Sequence, residues 1–341
     1  MKILKTERKL CMCCMEEHEV QIVEVHEKLT FKGKKVEYNA IYEYCDLTEE
    51  FLSTEDMITN NDIAMKDAYR RQCGLLTSEE IISIRKKYSI SQKDLACLLG
   101  WGEKTITRYE GHQVQDIAHD SVLRKINEDP EWFLELLEKA KERLSIESYD
   151  KYKEQISKEY EIMQDAYLRK SIQAQYVKYQ DNPDSYGNTK LSFEKIIAVI
   201  CYFANSSKVS SLYKVKLMKM LWYADFLSYK RHSHSITGLV YKAMPMGALP
   251  VAHKSIVDLK GIVYDEIYLE YNSGYKFMRS DCEQLEKLTT EDIDVLDTVI
   301  EMFGKLSREQ IVNKMHEEVA YKETNQGAVI SFEYAKELDL V

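Results

Sequence analysis

The sequence predicts a mainly α-helical protein with small β elements, in the α+β class. Glycine and proline, which tend to end helices, number only 12 and 4 among 341 residues. Over most of the chain apolar residues recur at spacings of three and four, as they do along one face of a helix. The first 70 residues differ, because there polar and apolar side chains alternate as in half-buried strands. We therefore expect a small sheet followed by many helices.

Four segments follow from the length and the pattern of the chain, since 341 residues exceed what one hydrophobic core usually holds. The clearest linker is the run NPDSYG at 182–187. We predict a small β domain at 1–70, a three-helix domain at 71–140, a helical connector with a linker at 141–187, and an α+β domain at 188–341.

The charge and the cysteine content narrow the class of protein. The formal charge of −10 argues against a protein that coats nucleic acid or a membrane surface without specificity, so any DNA contact must be local. No apolar run approaches the ~20 residues that a membrane span needs, and the start MKILKTERKL lacks an apolar signal core. Eight cysteines in a chain of this length do not make a disulfide scaffold. We expect a cytoplasmic protein with reduced thiols and no membrane partner.

Cysteines bracket the predicted sheet, whose central turn is Lys32-Gly33-Lys34. The candidate metal ligands are Cys11, Cys14 and Cys45. They form the beginning of a zinc knuckle, in which two Cys-x-x-Cys pairs on opposite β-turns hold a tetrahedral ion. The second pair is incomplete, because Thr48 stands where the fourth thiolate should be. Cys13 and His18 are the candidates to complete the set, but neither has the expected position. Two interpretations stay open, a bound zinc ion and a knuckle held by packing alone.

The stretch from Thr77 to His112 predicts three short helices. Ser91 is the expected N-cap of the second helix, and Gly100 ends it before a tight turn at Trp101-Gly102. Two short helices joined by a glycine-containing turn, the second polar at its outward positions, are typical of a helix-turn-helix. The alternative is a three-helix structural unit that binds no nucleic acid.

The candidate DNA-binding residues are Gln92, Lys104, Thr105, Thr107 and Arg108. In a helix-turn-helix, the last four of these would face the major groove. The segment from Leu76 to Glu128 carries eight basic and eight acidic residues, so its formal charge is zero and the usual basic footprint is absent. Binding would then need two copies on one site and should be sensitive to salt.

The chain from Glu131 to Asn182 contains no glycine or proline and predicts one or two long amphipathic helices. Their tyrosine-rich stripe favours a connector over a coiled-coil seam, which prefers Leu and Ile. Beyond the linker we predict helices at 191–204, 210–231 and 251–260, a strand at 235–244 before a corner at 246–250, a hairpin at 262–278 around Asn272–Gly274, and closing helices at 290–303 and from Ser307, with Gln310 completing a capping box.

Catalytic motifs are absent from the sequence. No stretch has phosphate-loop spacing and no Ser sits in a nucleophile elbow. His316-Glu317-Glu318 lacks the second His of a zinc hydrolase helix, and His232 and His234 are expected to be cations at a helix C-terminus. Asp225 could be a buried functional carboxylate, although a solvated or capping role is the stronger expectation. We predict that the protein is not an enzyme.

The stretch from Cys11 to about Leu137 resembles the MqsA (YgiT-type) antitoxins, which join a Cys-pair zinc domain to a helix-turn-helix domain. The resemblance is carried by Cys11-x-x-Cys14, Tyr44-Cys45, the run GWGEKTITRYEGH and Asp129-Pro130. It implies that Lys104 and Arg108 touch DNA bases and that the chain forms a homodimer through this domain. Thr48 departs from the Cys-pair pattern.

The stretch from about Leu191 to Tyr321 resembles the Panacea (SocA-like) domain. The resemblance is carried by KLxKxLxYAD at 216–225 and GLxYxAxPxGxLP at 238–250. In that family the domain is a module that binds and neutralises many unrelated toxins encoded next to it. The resemblance therefore implies a toxin partner and a binding surface rather than a catalytic site, and it transfers no contact residues.

Together these features predict a bacterial type II antitoxin that neutralises a cognate toxin through 188–341 and represses its own operon by binding operator DNA. The alternative is a phage or prophage transcription regulator, or a proteolytic adaptor, with a SocA-like partner-binding domain. A metalloenzyme would need an open coordination position, and cysteine-rich sites are usually closed. A toxic reading frame beside the gene favours the antitoxin, and a lone gene in a lysogeny module favours the regulator.

Overall fold

The computed structural model describes the backbone of residues 1–269 and 272–338 and the side chains of residues 1–267 and 274–338. The chain divides into two compact units, Met1–Met163 and Gln164–Val341. The boundary falls inside the segment 141–187 that the sequence predicts to be a connector. Helices dominate, with small antiparallel sheets in both units, so the predicted fold class is confirmed.

A four-stranded antiparallel sheet opens the first unit, in the order β1-β2-β3-β4. Its strands are β1 (Lys2–Leu10), β2 (Glu17–Phe31), β3 (Lys34–Cys45) and β4 (Glu50–Leu52). The predicted turn between β2 and β3 is confirmed, with positive φ at Lys32 and Gly33. Strand β1 is missing from the sequence prediction, because nearly all its side chains are exposed and it shows no alternation of burial.

Short helices make up the rest of the first unit. They are α1 (Glu55–Gln72), α2 (Ser78–Lys87), α3 (Gln92–Leu98), α4 (Thr105–Glu110), α5 (Ile117–Glu128) and α6 (Pro130–Lys139). Ser91 caps α3 as predicted, its Oγ accepting from the Asp94 N–H at 3.0 Å. Helices α2 to α6 share one core, in which Ile81, Ile106 and Phe133 are fully buried.

The long helix predicted for the connector is α7, Ile146–Tyr176. Its first part places Tyr149, Tyr152 and Ile156 in the core of the first unit. Its last part places Ile172 and Tyr176 in the core of the second unit. Tyr167 of the same stripe is 76% exposed, so only part of the stripe packs within the chain.

The second unit is built around α9. Its helices are α8 (Phe193–Asn205), α9 (Lys214–His232), α10 (His253–Ile256), α11 (Thr290–Phe303), α12 (Arg308–Glu317) and α13 (Val319–Lys322), and its strands are β5 (Tyr241–Met244), β6 (Gly247–Pro250), β7 (Tyr264–Leu269) and β8 (Asn272–Phe277). All residues from Lys216 to Ser228 are buried, so α9 is enclosed on every side. The capping box of Ser307 and Gln310 is confirmed.

Several predicted elements of the second unit differ from the structure. The strand expected at 235–244 begins only at Tyr241, and the expected corner holds a second strand, β6, paired with it. The helix expected at 251–260 is only the four residues of α10. The linker run at 182–187 contains a short 3₁₀ helix and is bonded to Ser235, whose N–H donates to the Gly187 carbonyl at 2.7 Å.

The predicted hairpin at 262–278 is confirmed by the antiparallel pairing of β7 with β8. Asn272 and Gly274, expected at its turn, lie in β8, and the two residues between the strands are outside the described part of the chain. Within the described ranges, no helix combines the length and the apolar character that crossing a bilayer requires.

Candidate functional site

Four side chains suited to binding a metal meet at one end of the N-terminal sheet. Cys11 and Cys14 lie in the turn after β1, His18 lies on β2, and Cys45 ends β3. The turn is tight, because the Met15 N–H donates to the Cys11 carbonyl at 2.9 Å. Pairing of β2 with both neighbouring strands brings the histidine and the third cysteine beside this turn.

The geometry of this Cys₃His cluster fits a tetrahedral ion. The four ligand atoms lie within 4.8 Å of one another. Cys45 Sγ and His18 Nε2 are 3.5 Å apart, about the separation that Zn–S and Zn–N bonds of about 2.3 and 2.0 Å produce in a tetrahedron. Cys11 and Cys45 are buried and the other two are half-buried. The cluster could therefore hold a metal such as zinc, with four protein ligands.

His18 completes the set in a way that the sequence did not reveal. Its Nδ1 lies 3.3 Å from Asp46 Oδ1 and 3.1 Å from the Glu19 carbonyl, which leaves Nε2 facing the sulfurs. Such an outer partner fixes the ring of a metal-binding histidine. The position depends on strand register, because His18 pairs with Lys9 across the β1–β2 hairpin. A sequence search for two Cys-x-x-Cys pairs therefore misses His18, because this side chain lies on a strand and outside both pairs.

The thiols of the Cys₃His cluster differ in their acidity. Hydrogen bonds from the backbone N–H groups of Cys14 and Cys13 lower the pKa of Cys11 to about 6, against the opposing effect of burial. A hydrogen bond from the Thr48 hydroxyl lowers the pKa of Cys45. Thr48, which occupies the place of the missing fourth cysteine, therefore supports a thiolate instead of supplying one. Burial raises the pKa of Cys14 to about 11, whereas metal ligation requires deprotonated sulfurs.

The predicted DNA-binding residues lie on α3 and α4. Gln92 begins α3, Lys104 precedes α4, and Thr105, Thr107 and Arg108 belong to α4. Lys104, Thr107 and Arg108 are exposed, whereas the other two are half-buried. With the described residues, the side chains of Lys104 and Arg108 form no ion pair. Both cations are therefore available to a phosphate or to a base edge.

Gln92 is already bonded to its neighbours. Its Nε2 donates to Glu110 Oε2 at 2.6 Å, and its Oε1 accepts from the Thr107 hydroxyl at 2.8 Å. Arg85 holds the same carboxylate with two bonds, at 2.5 and 3.0 Å. The Gln92 amide thus joins α3 to α4 and positions Thr107.

Arg70 is a positioning residue that the sequence did not single out. It is completely buried on α1. Its Nη2 donates to the Tyr109 carbonyl at 2.6 Å and to the Gln113 carbonyl at 2.8 Å, and its Nη1 pairs with Asp67 at 2.6 Å. The guanidinium therefore fixes the C-terminal end of α4 to α1. Asp67 and Arg70 are three residues apart on a polar helix, and this spacing in the sequence does not indicate that Arg70 is buried.

The same helix α1 is fixed to the sheet by an amide. The Asn61 side chain accepts from the Ile41 N–H at 2.8 Å and donates to the Ile41 carbonyl at 2.9 Å. The ring of Tyr69 also meets Phe31 edge to face, with centroids 5.1 Å apart. Helix α1 thus connects the strands that carry the Cys₃His cluster with the helix that carries Arg108.

In the second unit, Asp225 is a fully buried acceptor. It receives the N–H groups of Ile236 and Thr237, both at 2.9 Å, the Thr237 hydroxyl, and the Tyr241 hydroxyl at 2.6 Å. Burial raises the pKa of Asp225 to about 6, although these hydrogen bonds oppose the rise. Asp225 therefore holds the loop before β5 onto α9. The solvated interpretation of Asp225 is therefore wrong, because its carboxylate is completely buried.

Two buried lysines of α9 also bond to backbone. Lys219 Nζ donates to the Ala248 carbonyl at 2.9 Å, and burial lowers its pKa to about 7. Gly247, at φ +95°, makes room for it, because a Cβ there would lie 2.9 Å from Lys219 Cε. Lys216 Nζ donates to the carbonyls of Ser210 and Gly304, at 2.8 and 2.7 Å.

Residues 217–322 match the family described as Antitoxin SocA-like, Panacea domain. The match confirms the C-terminal part of the resemblance found in the sequence. No curated protein and no solved structure matches the chain. At a coarse level, the Panacea match supports an antitoxin-like role of a regulatory, non-catalytic kind.

Within the Panacea region, the most recognisable residues serve the fold. Lys219, Asp225 and Gly247 are buried and bonded or packed as described above. Gly238, at φ +74°, belongs with them, because a Cβ there would lie 2.5 Å from the Thr189 carbonyl oxygen. These four residues of the motifs quoted from the sequence are not exposed to a partner. A partner surface must therefore be sought elsewhere on the second unit.

Proposed function

We propose that the protein is a type II antitoxin acting in the bacterial cytoplasm. Its C-terminal part, residues 188–341, would bind and neutralise a cognate protein toxin, and a homodimer would repress its own operon. The observation that carries the proposal is the Panacea match over 217–322. The dense core of the same unit supports a stoichiometric binding role, since such a domain can present a rigid surface.

The repressor half of the proposal rests on the α3–α4 surface. Arg108 and Lys104 are exposed and form no ion pair with the described residues. The hydroxyl of Thr107, on the same helix as Arg108, donates to Gln92. Residues 71–140 would form the helix-turn-helix domain. The local formal charge is zero, so two copies on one operator would supply the affinity that a single copy lacks.

Zinc would serve the first unit as a structural ion. The Cys₃His cluster of Cys11, Cys14, His18 and Cys45 offers four ligands and leaves no open position for a substrate. Such an ion would hold the turn after β1 against the ends of β2 and β3. Residues 1–70 would then be a small zinc domain.

The test is a separation of the two activities in the full chain. Growth is recorded when the gene adjacent to this one is expressed alone, with the wild type, and with Arg108→Ala. Binding to the DNA upstream of the gene is measured by mobility shift. We expect Arg108→Ala to weaken DNA binding about 10- to 100-fold and to leave growth rescue unchanged.

The matched control is Lys139→Ala, which removes an exposed cation at the end of α6 and should change neither activity. Loss of both activities in Arg108→Ala would contradict the division of labour. A harmless adjacent gene, with DNA binding retained, would favour the transcription regulator.

A further inference from the structure

A groove in the second unit contains no residue of the Cys₃His cluster or of the candidate DNA-binding surface. Its walls are the turn before α9, the start of α12 and the hairpin of β7 and β8. Its volume is about 970 Å³, at the upper end of the range of ligand pockets. A segment of several peptide residues would fill such a space.

The groove is basic although the whole chain is acidic. Lys214, Lys305 and Arg308 line it together with the buried Lys216, and no Asp or Glu occurs among the lining residues. Lys305 and Arg308 are exposed, and neither side chain pairs with an acid in the described parts of the chain. The protein has a formal charge of −10, so this groove is a local positive site that would attract negatively charged groups.

Apolar and aromatic side chains accompany these cations. Tyr213 is 36% exposed, and Ile267 and Leu306 line the same space. The Lys214 ammonium lies 4.9 Å from the centroid of the Tyr275 ring. Tyrosine and arginine beside aliphatic groups are the composition found at the centres of protein interfaces.

The wall of the groove is fixed in place. Lys216 Nζ bonds both to Ser210 and to Gly304, and the Ser210 N–H also donates to the Gly304 carbonyl at 2.8 Å. A Cβ at Gly304 would lie 2.8 Å from the Lys208 carbonyl oxygen, so the chains are in close contact there. A preformed wall loses little freedom when a ligand binds.

We propose that this groove binds an acidic, partly apolar peptide segment of the partner protein. The inference rests on the proposed function, and it names the surface and the chemistry of the contact. Carboxylates of the segment would pair with Lys305 and Arg308, and its apolar side chains would pack on Tyr213 and Ile267. A nucleic acid fits less well, because its phosphates would gain nothing from the apolar side chains of Tyr213 and Ile267.

The first experiment measures the binding of a fluorescein-labelled peptide of twelve alternating Glu and Leu residues to the full chain. A matched peptide carries Gln in place of Glu. The test variant is Lys305→Glu/Arg308→Glu, and the control is Lys287→Glu/Lys336→Glu, an equal charge change at two exposed lysines outside the groove. We expect the acidic peptide to bind the wild type and the control equally, and the groove variant at least about tenfold more weakly.

The second experiment repeats the growth rescue with the same two variants. If peptide binding depends on the groove but the wild type does not rescue growth, the peptide-binding proposal is supported and the antitoxin function is contradicted. If the wild type and the groove variant rescue growth equally, the antitoxin function is supported and the proposed role of the groove is contradicted. No binding of the acidic peptide, equal binding of the Gln peptide, or equal groove-dependent binding of a single-stranded DNA 12-mer would also overturn it.

Discussion

The candidate DNA-binding cations of the first unit and the Panacea-like motif residues of the second unit lie in opposite environments. In the first unit, Lys104, which precedes α4, and Arg108, which lies on α4, are exposed. In the second unit, Lys219, Asp225 and Gly247 of the Panacea motifs are buried and bonded or packed in the core. A motif residue that faces solvent is a candidate for contact, and one that is enclosed specifies the fold.

This difference bears on where the second unit could meet a partner. If the motif residues build the core, the exposed surface is free to vary without loss of the fold. The groove beside Tyr213 and Arg308 has no part in the KLxKxLxYAD or GLxYxAxPxGxLP motifs except Lys216. Three perturbations test the contrast between core and surface roles, in order of expected effect.

Loss of the metal should have the largest effect, and it concerns the first unit. We expect the purified protein to carry about one zinc ion per chain, and His18→Ala to lose it, because a structural ion contributes directly to folding. Zinc content is measured by mass spectrometry of the metal, and the stability of the sheet by hydrogen exchange. Cobalt substitution should give the absorption of a tetrahedral thiolate site.

The control for this variant is His26→Ala, on the same strand. His26 is exposed and bonds to Asn39 and Glu37, away from the cysteines. Full zinc content in His18→Ala, or equal loss in both variants, would contradict the assigned ligand set.

Asp225→Ala should have the next largest effect. It leaves the buried N–H groups of Ile236 and Thr237 and the Tyr241 hydroxyl without their acceptor. At about 1–2 kcal/mol for each buried donor, we expect a loss of about 4 kcal/mol in the unfolding free energy of the second unit. Urea unfolding followed by the buried Trp222 measures it.

Asp281→Ala is the matched control, since Asp281 is exposed in the same unit. A change below about 1 kcal/mol in Asp225→Ala would contradict the assigned role. Weak partner binding by a fully stable Asp225→Ala protein would instead make the motif part of the binding surface, and the contrast between the units would fail.

The sequence predicted more of the fold than of the site. Strands β2 and β3 were found because polar and apolar residues alternate along parts of them, whereas the exposed β1 shows no alternation of burial. His18 could not be assigned as a ligand without the register of β1 on β2. Asp225 lies in a helix enclosed on all sides, so helical periodicity could not show that it is buried.

Lys219→Met should have the smallest effect, and it sharpens the contrast through pH. Burial lowers the pKa of Lys219 to about 7 in the folded chain, from an ordinary value of 10.5. Between these values the unfolded chain holds a proton that the folded chain has lost, so the unfolding free energy should rise with pH from about 7 to 10.5. Lys219→Met should remove this rise and add about 1–2 kcal/mol of stability at pH 7, whereas Lys287→Met, at an exposed lysine, should keep the wild-type slope. Equal slopes in the wild type and Lys219→Met would mean that this ammonium stays charged within the core, held by the Ala248 carbonyl.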